Sequence, residues 1–173
     1  MRETWDDLVR LHTLLARSIE QAGPYLRSSF QMPERSLSAS QLTTYLEGIR
    51  FVSLATVTAR GEPRAAPAAS LFYRAAFYIP TVKTAARVLH LARRPGVSLT
   101  HFVENELAII VHGHAAILTS ANPAFAVLEE LHRSFAGQSV RDWGEAVFLR
   151  VDADAIYTYA REPDLYPGDR PME

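Results

Sequence analysis

Apolar positions recur first at helical and then at strand spacing along the chain. Between residues 4 and 22, Trp5, Leu8, His12, Leu15 and Ile19 fall on one stripe, with Val9, Leu11 and Ala16 alongside. That period predicts an amphipathic helix. Thr4 and Asp7 have capping-box spacing, with Asp in place of the usual Glu or Gln, and Gly23-Pro24 ends the pattern. The stripe has to bury against the main body or against a second subunit. Residues 25–37 show no period and predict irregular chain. Ser38 and Gln41 form a second capping box, which opens a short helix through Leu42, Tyr45, Leu46 and Ile49.

The period then changes. Phe51–Thr58 is rich in β-branched and apolar residues, and Arg60-Gly61-Glu62-Pro63 reads as a turn. Arg64–Tyr73 and Ala76–Pro80 follow as strands about a short turn at Arg74-Ala75. Thr84–Arg94 predicts a helix closed by Pro95-Gly96. Val97–Val103 and Leu107–Leu118 predict a hairpin around Glu104-Asn105-Glu106. Asn122-Pro123 caps a helix with the apolar face Phe125, Leu128, Leu131 and Phe135, ended by Gly137. Ala146–Val151 and Ala155–Tyr159 predict two late strands. Six or seven strands in short hairpins, with helices inserted, predict an antiparallel barrel rather than a βαβ repeat. The expected organisation is an N-terminal helical extension over 1–44, a barrel domain over 45–160 and a tail over 161–173.

Composition narrows the chemistry. At 173 residues the chain suits one domain with a substantial core. It has no cysteine, which excludes disulfides, thiolate catalysis and cysteine-ligated metal. No apolar run reaches the length of a membrane span, and the N-terminus has no signal-peptide core, so a cytoplasmic protein without a membrane partner is expected. The near-neutral balance, with a pI of about 6.6, argues against nucleic-acid binding.

Within that balance, Pro63–Val103 contains no Asp or Glu but carries Arg64, Arg74, Lys83, Arg87, Arg93 and Arg94, with His90 and His101. Lys83 is the only lysine in the chain. Cations set in strand and strand-to-helix patterns predict a specific anion, a phosphate-bearing small molecule, although a solvated basic face gives the same pattern. The strand Arg64–Ser70 is built mostly of Ala and Ser around Pro67. It offers either a flat seat for a planar ring or a plain edge strand. The segment Pro80–Arg87 brings Thr81, Thr84, Lys83 and Arg87 to a helix start, where a phosphate or ordinary capping would satisfy the free N–H groups. The dinucleotide glycine fingerprint, the P-loop, the nucleophile elbow and the zinc-protease helix motif are all absent, so any catalysis is expected to rely on a bound cofactor. His112 and His114 share a strand face near His101, but no Asp, Glu or Cys stands beside them, and no metal site is assigned.

The runs FVSLATVTARGEPRAAPAASLFY, FYIPTVKTAARVLHLARRPGVSLTHF and ELAIIVHGHAAIL occur in that order. Together they resemble the pyridoxamine 5'-phosphate oxidase-like, FMN-binding split-barrel family over about residues 45–160. The resemblance implies a six-stranded antiparallel split β-barrel with flanking helices, in a homodimer with two flavins at the subunit interface. It implies that Arg64 contacts the FMN phosphate, that Thr81 is the threonine ending the third strand, and that Arg87 takes the place of the phosphate-binding lysine. Ala85 stands where a phosphate-binding serine is common, and Lys83 or Thr84 would substitute for it. His90 replaces a frequent asparagine. The cofactor set so implied is Arg64, Ala66, Pro67, Ala68, Pro80, Thr81, Lys83, Thr84, Arg87 and His90. His90, Tyr73 and Tyr78 are candidates for ring or substrate contacts, and no acid or base is assigned.

The expected function is hydride transfer between bound FMN and a small organic substrate. The C-terminal region does not match the oxidase's substrate-binding end, so the oxidase's substrate is not carried over. Related split barrels use the deazaflavin coenzyme, reduce biliverdin or quinones, or bind haem. A deazaflavin-dependent reductase and a non-catalytic flavin or haem carrier therefore stand as alternatives.

Overall fold

The computed structural model describes residues 3–168; the first two residues of the expected extension and the tail beyond 168 lie outside them. The two capping boxes form as the sequence predicts. Thr4 opens α1 (Trp5–Gln21) and Ser38 opens α3 (Ala39–Tyr45), each with reciprocal side-chain bonds to its third residue. Between them, where irregular chain was expected, a short α2 (Pro24–Phe30) forms with Pro24 at its first turn.

Six strands follow: β1 (Ile49–Val57), β2 (Pro63–Tyr73), β3 (Ala76–Val82), β4 (Gly96–Val103), β5 (Leu107–Leu118) and β6 (Ala146–Ala160). They close an antiparallel barrel in the order β1-β2-β3-β6-β5-β4. Helix α4 (Ala86–Leu91) joins β3 to β4, and α5 (Ala124–Ala136) joins β5 to β6. Alternation fills the interior: Val52 and Leu54 of β1, Leu107, Ile109 and Val111 of β5, and Val147, Leu149 and Val151 of β6 are all buried in one cluster. A second cluster lies outside the barrel, where Phe125, Leu128 and Leu131 of α5 cover Leu71, Tyr78 and Phe148.

The two strands expected at 146–151 and 155–159 are one. The pairing of β6 with β5 shifts register between His112 and Gly113, which lie opposite Ala155 and Ala153, so that Asp154 is left unpaired. The extra residue is a β-bulge, and it re-phases the strand. Before it the odd positions 147, 149 and 151 face inward; after it the even positions 156, 158 and 160 are buried. The bulge between the two expected strands is thus the device that keeps one long strand amphipathic. Gly113 makes room for it, since a Cβ there would lie 2.1 Å from the Asp152 carbonyl oxygen.

Beyond Val151, β6 outruns β3, which pairs with it only over 146–151. The N-terminal extension covers the edge left open. The Ile156 N–H donates to Ser18 Oγ at 3.0 Å, the Ala160 N–H to the Arg35 carbonyl at 2.8 Å, and the Leu37 N–H to Thr158 Oγ1 at 2.9 Å. Helix α1 therefore packs on the body of its own chain. Its buried face is Asp7, Leu8, Leu11, Leu15 and Ser18, rotated from the predicted stripe, so that Trp5, Val9 and His12 are exposed. The rotation follows from the buried polar positions. Ser18 is bonded to the strand, and Asp7 accepts from Thr4 and pairs with Arg10 and Arg74.

Candidate functional site

The barrel is thin at one seam. β2 pairs with β1 along its whole length, from Ile49 opposite Leu71 to Val57 opposite Pro63. It pairs with β3 only through Leu71, Phe72 and Tyr73. From 63 to 70 its other edge faces no strand, which is the split in the barrel, and Pro67 sits on that open edge as a residue without an N–H can. Residues 63–67 are exposed although they belong to a strand.

A cleft of about 360 Å³ opens between this edge and α4. One wall is Leu54, Thr56, Arg64, Ala65 and Ala66; the other is Ala85, Ala86, Arg87 and His90. Cross-strand pairing sets Thr56 beside Arg64 and Leu54 beside Ala66. Thr56, Arg64, Arg87 and His90 supply its polar and charged lining, and Leu54 with four alanines supplies the rest. A second recess of about 270 Å³ lies on the outer face of the β1–β2 ribbon, lined by Phe51, Ser53, Pro67, Thr100 and Phe102 and sharing Ala65 and Ala66 with the first.

The cations differ in their freedom. Arg64 donates to Glu62 Oε2 at 2.9 Å and to the Pro63 carbonyl at 3.0 Å, with its side chain still half exposed. Arg94 donates to the Ala59 carbonyl at 3.2 Å and ties the end of α4 to the β1–β2 turn. No hydrogen bond or ion pair involves the Arg87 side chain among the described residues. His90 Nδ1 lies 2.9 Å from Thr56 Oγ1.

Of the residues the sequence singled out, Arg64, Ala66, Arg87 and His90 line the cleft and Pro67 lines the adjoining recess. The other five lie elsewhere. Ala68 is buried in the barrel core, and Pro80 and Thr81 are buried on β3 opposite Phe148 and Val147. Lys83 donates to Glu145 Oε1 at 2.7 Å, which holds it to the start of β6, and Thr84 is exposed in the connection. The predicted helix from 84 to 94 is shorter than expected, because Arg93 and Arg94 both fold back onto the His90 carbonyl before Pro95. With only six residues, α4 brings side chains to the cleft rather than a long helix dipole. The Tyr73 and Tyr78 rings lie 6.4 Å apart and tilted by 53° beneath α5, where burial pushes the Tyr78 hydroxyl pKa up. Leu54 and Thr56 carry no sequence signal for the site, since a β-branched or apolar residue in a strand reads as core.

The three imidazoles considered for metal have separate partners. His112 Nδ1 shares a hydrogen bond with Ser98 Oγ, His114 pairs with Asp154, and His101 bonds both the Tyr45 hydroxyl and the Phe51 carbonyl. Among the described residues no three His, Cys, Asp or Glu side chains come together as a metal set.

A closed six-stranded barrel with this order of motifs has a counterpart among known families. The sequence profile described as pyridoxamine 5'-phosphate oxidase matches residues 39–160. The chain belongs to the pyridoxamine 5'-phosphate oxidase-like split-barrel family. Solved structures agree on the fold. A FAD-binding protein from Mesorhizobium loti is 20% identical, with a TM-score of 0.57 and coverage of 72% of this chain and 93% of its own. An F420 reductase is 18% identical, with a TM-score of 0.53 and coverage of 64% and 91%. The haem storage protein HutZ from Vibrio cholerae is 15% identical, with a TM-score of 0.52 and coverage of 64% and 85%. At such identities the likeness is one of fold alone. No curated protein sequence matches the chain. No helix among the described residues is long and apolar enough to cross a membrane.

Proposed function

We propose that this family member binds FMN in the cleft beside the open edge of β2 and uses it to exchange hydride with a small organic substrate. The observation that carries the reading is the guanidinium of Arg87. It has no side-chain hydrogen-bond or ion-pair partner among the described residues and lines, with Arg64, a cleft whose other walls are mostly apolar. Two guanidiniums facing one cavity favour a phosphate, which accepts charge-assisted, often bidentate hydrogen bonds. Leu54, Ala65 and Ala66 leave the strand surface flat, which suits a planar ring, and the unpaired β2 edge leaves main-chain groups available beside it. A bound flavin supplies the hydride chemistry; the chain's part is to hold the phosphate and orient the ring. A homodimer belongs to the same proposal. Phe51 and Phe102 are 70% and 63% exposed beside Ala65 and Pro67, and a second subunit over that face would cover them together with the recess they line.

Arg87→Ala tests the phosphate assignment. Losing a charge-assisted bond should weaken FMN binding about tenfold or more, read from flavin fluorescence titration. An unchanged dissociation constant would place the phosphate elsewhere.

A further inference from the structure

Thr56 belongs to the inward row of β1 with Val52 and Leu54 and is 4% exposed. Its hydroxyl has one hydrogen-bond partner among the described residues, Nδ1 of His90 at 2.9 Å. If Nδ1 carried a hydrogen, it would donate to Oγ1, and the hydroxyl hydrogen would have no acceptor among the described residues. If the hydroxyl donates to Nδ1 instead, that hydrogen is used. Neutral His90 is then the Nε2–H tautomer. Nε2 has no protein partner among the described residues, and His90 lines the cleft. Arg64 is the cross-strand partner of Thr56, and Arg87 lies three residues before His90 on α4, a neighbour on one helix face.

We propose that Thr56 fixes the tautomer of His90 that presents its Nε2–H to the cleft, so that a ligand oxyanion is held by Arg64, Arg87 and the Nε2–H of His90. His90 is a binding residue, and Thr56 is a positioning residue acting through it. With Nδ1 occupied and Nε2 protonated, neutral His90 gives a hydrogen bond and does not accept one, so it is not a proton acceptor toward the ligand. The identity of the oxyanion as a flavin phosphate rests on the proposed function; the tautomer does not.

Long-range proton–nitrogen spectra of the ¹⁵N-labelled, ligand-free full chain at about pH 8, where an ordinary imidazole is neutral, read the tautomer directly. His90 signals are identified by their loss in His90→Phe. The expected result is a protonated Nε2 and a bare Nδ1 in wild type, a mixture of tautomers in Thr56→Val, and the wild-type pattern again in Thr56→Ser. In FMN titrations, His90→Phe and Thr56→Val should each bind about tenfold more weakly, with Thr56→Ser close to wild type. A protonated Nδ1 in the wild type overturns the inference whatever the ligand. Unchanged FMN affinity in His90→Phe overturns the donor role. Failure of the wild type to bind FMN sinks the flavin reading and leaves the tautomer alone to decide this inference.

Discussion

Single side chains separate the two jobs that charge performs in this protein. Asp7 is structural. Burial alone would raise its pKa, but bonds from the Thr4 hydroxyl and backbone, from Arg74 and from Arg10 outweigh that and bring it from 3.8 down to about 2. A carboxyl whose folded pKa is depressed adds stability that is complete above its unfolded value and is lost as pH falls through the folded one. Wild type should therefore lose about 2 kcal/mol between about pH 5 and pH 2 through this group, and Asp7→Asn should lack that step in acid-unfolding curves. Lys83, by contrast, is paired with Glu145, which lies 62 positions away and which no local pattern reveals. Arg64, Arg87, Ala66 and His90 were legible because an acid-free run and a strand of small residues are local signals. Thr56 was not, because its hydroxyl matters only through a contact 34 positions away. The two alanines of the small strand now part company. Ala66→Leu should fill the cleft and block FMN while the circular dichroism stays native. Ala68→Leu should instead overpack the core and cost about 1–3 kcal/mol, measured in urea.

At the scale of elements, strands β1 to β5 followed from period-2 alternation and their turns. β6 did not, since a bulge and a loop use the same residue types, and only pairing with β5 tells them apart. Gly113→Ala tests that account. Its methyl group would meet the Asp152 carbonyl, a backbone atom with little room to retreat, so the bulge must deform. The expected loss is about 3 kcal/mol or more in chemical unfolding. A variant as stable as wild type would mean that the strand accommodates the methyl group by another register. The helices divide similarly. The two capping boxes were legible from four residues each, whereas the buried face of α1 was displaced from the hydrophobic stripe because Asp7 and Ser18 are buried by hydrogen bonding. Hydrophobic periodicity carries no information about a polar residue that finds its partner in the fold.

Across the whole molecule, the open edges are treated in opposite ways. The overhanging end of β6 is sealed by the N-terminal segment, whose Leu11, Leu15 and Leu37 join the barrel's own core cluster. The edge of β2 from 63 to 70 is left open beside a cleft lined by Arg64 and Arg87. The proposed flavin site rests on this contrast, one edge sealed and another free beside cations. The absorption spectrum of the purified full chain, mixed with FMN and then desalted, tests this most directly. Flavin bands carried with the protein at close to one per subunit are predicted. Flavin that elutes entirely with the small molecules, or a protein that shows a Soret band or the single shorter-wavelength band of a deazaflavin instead, would contradict it.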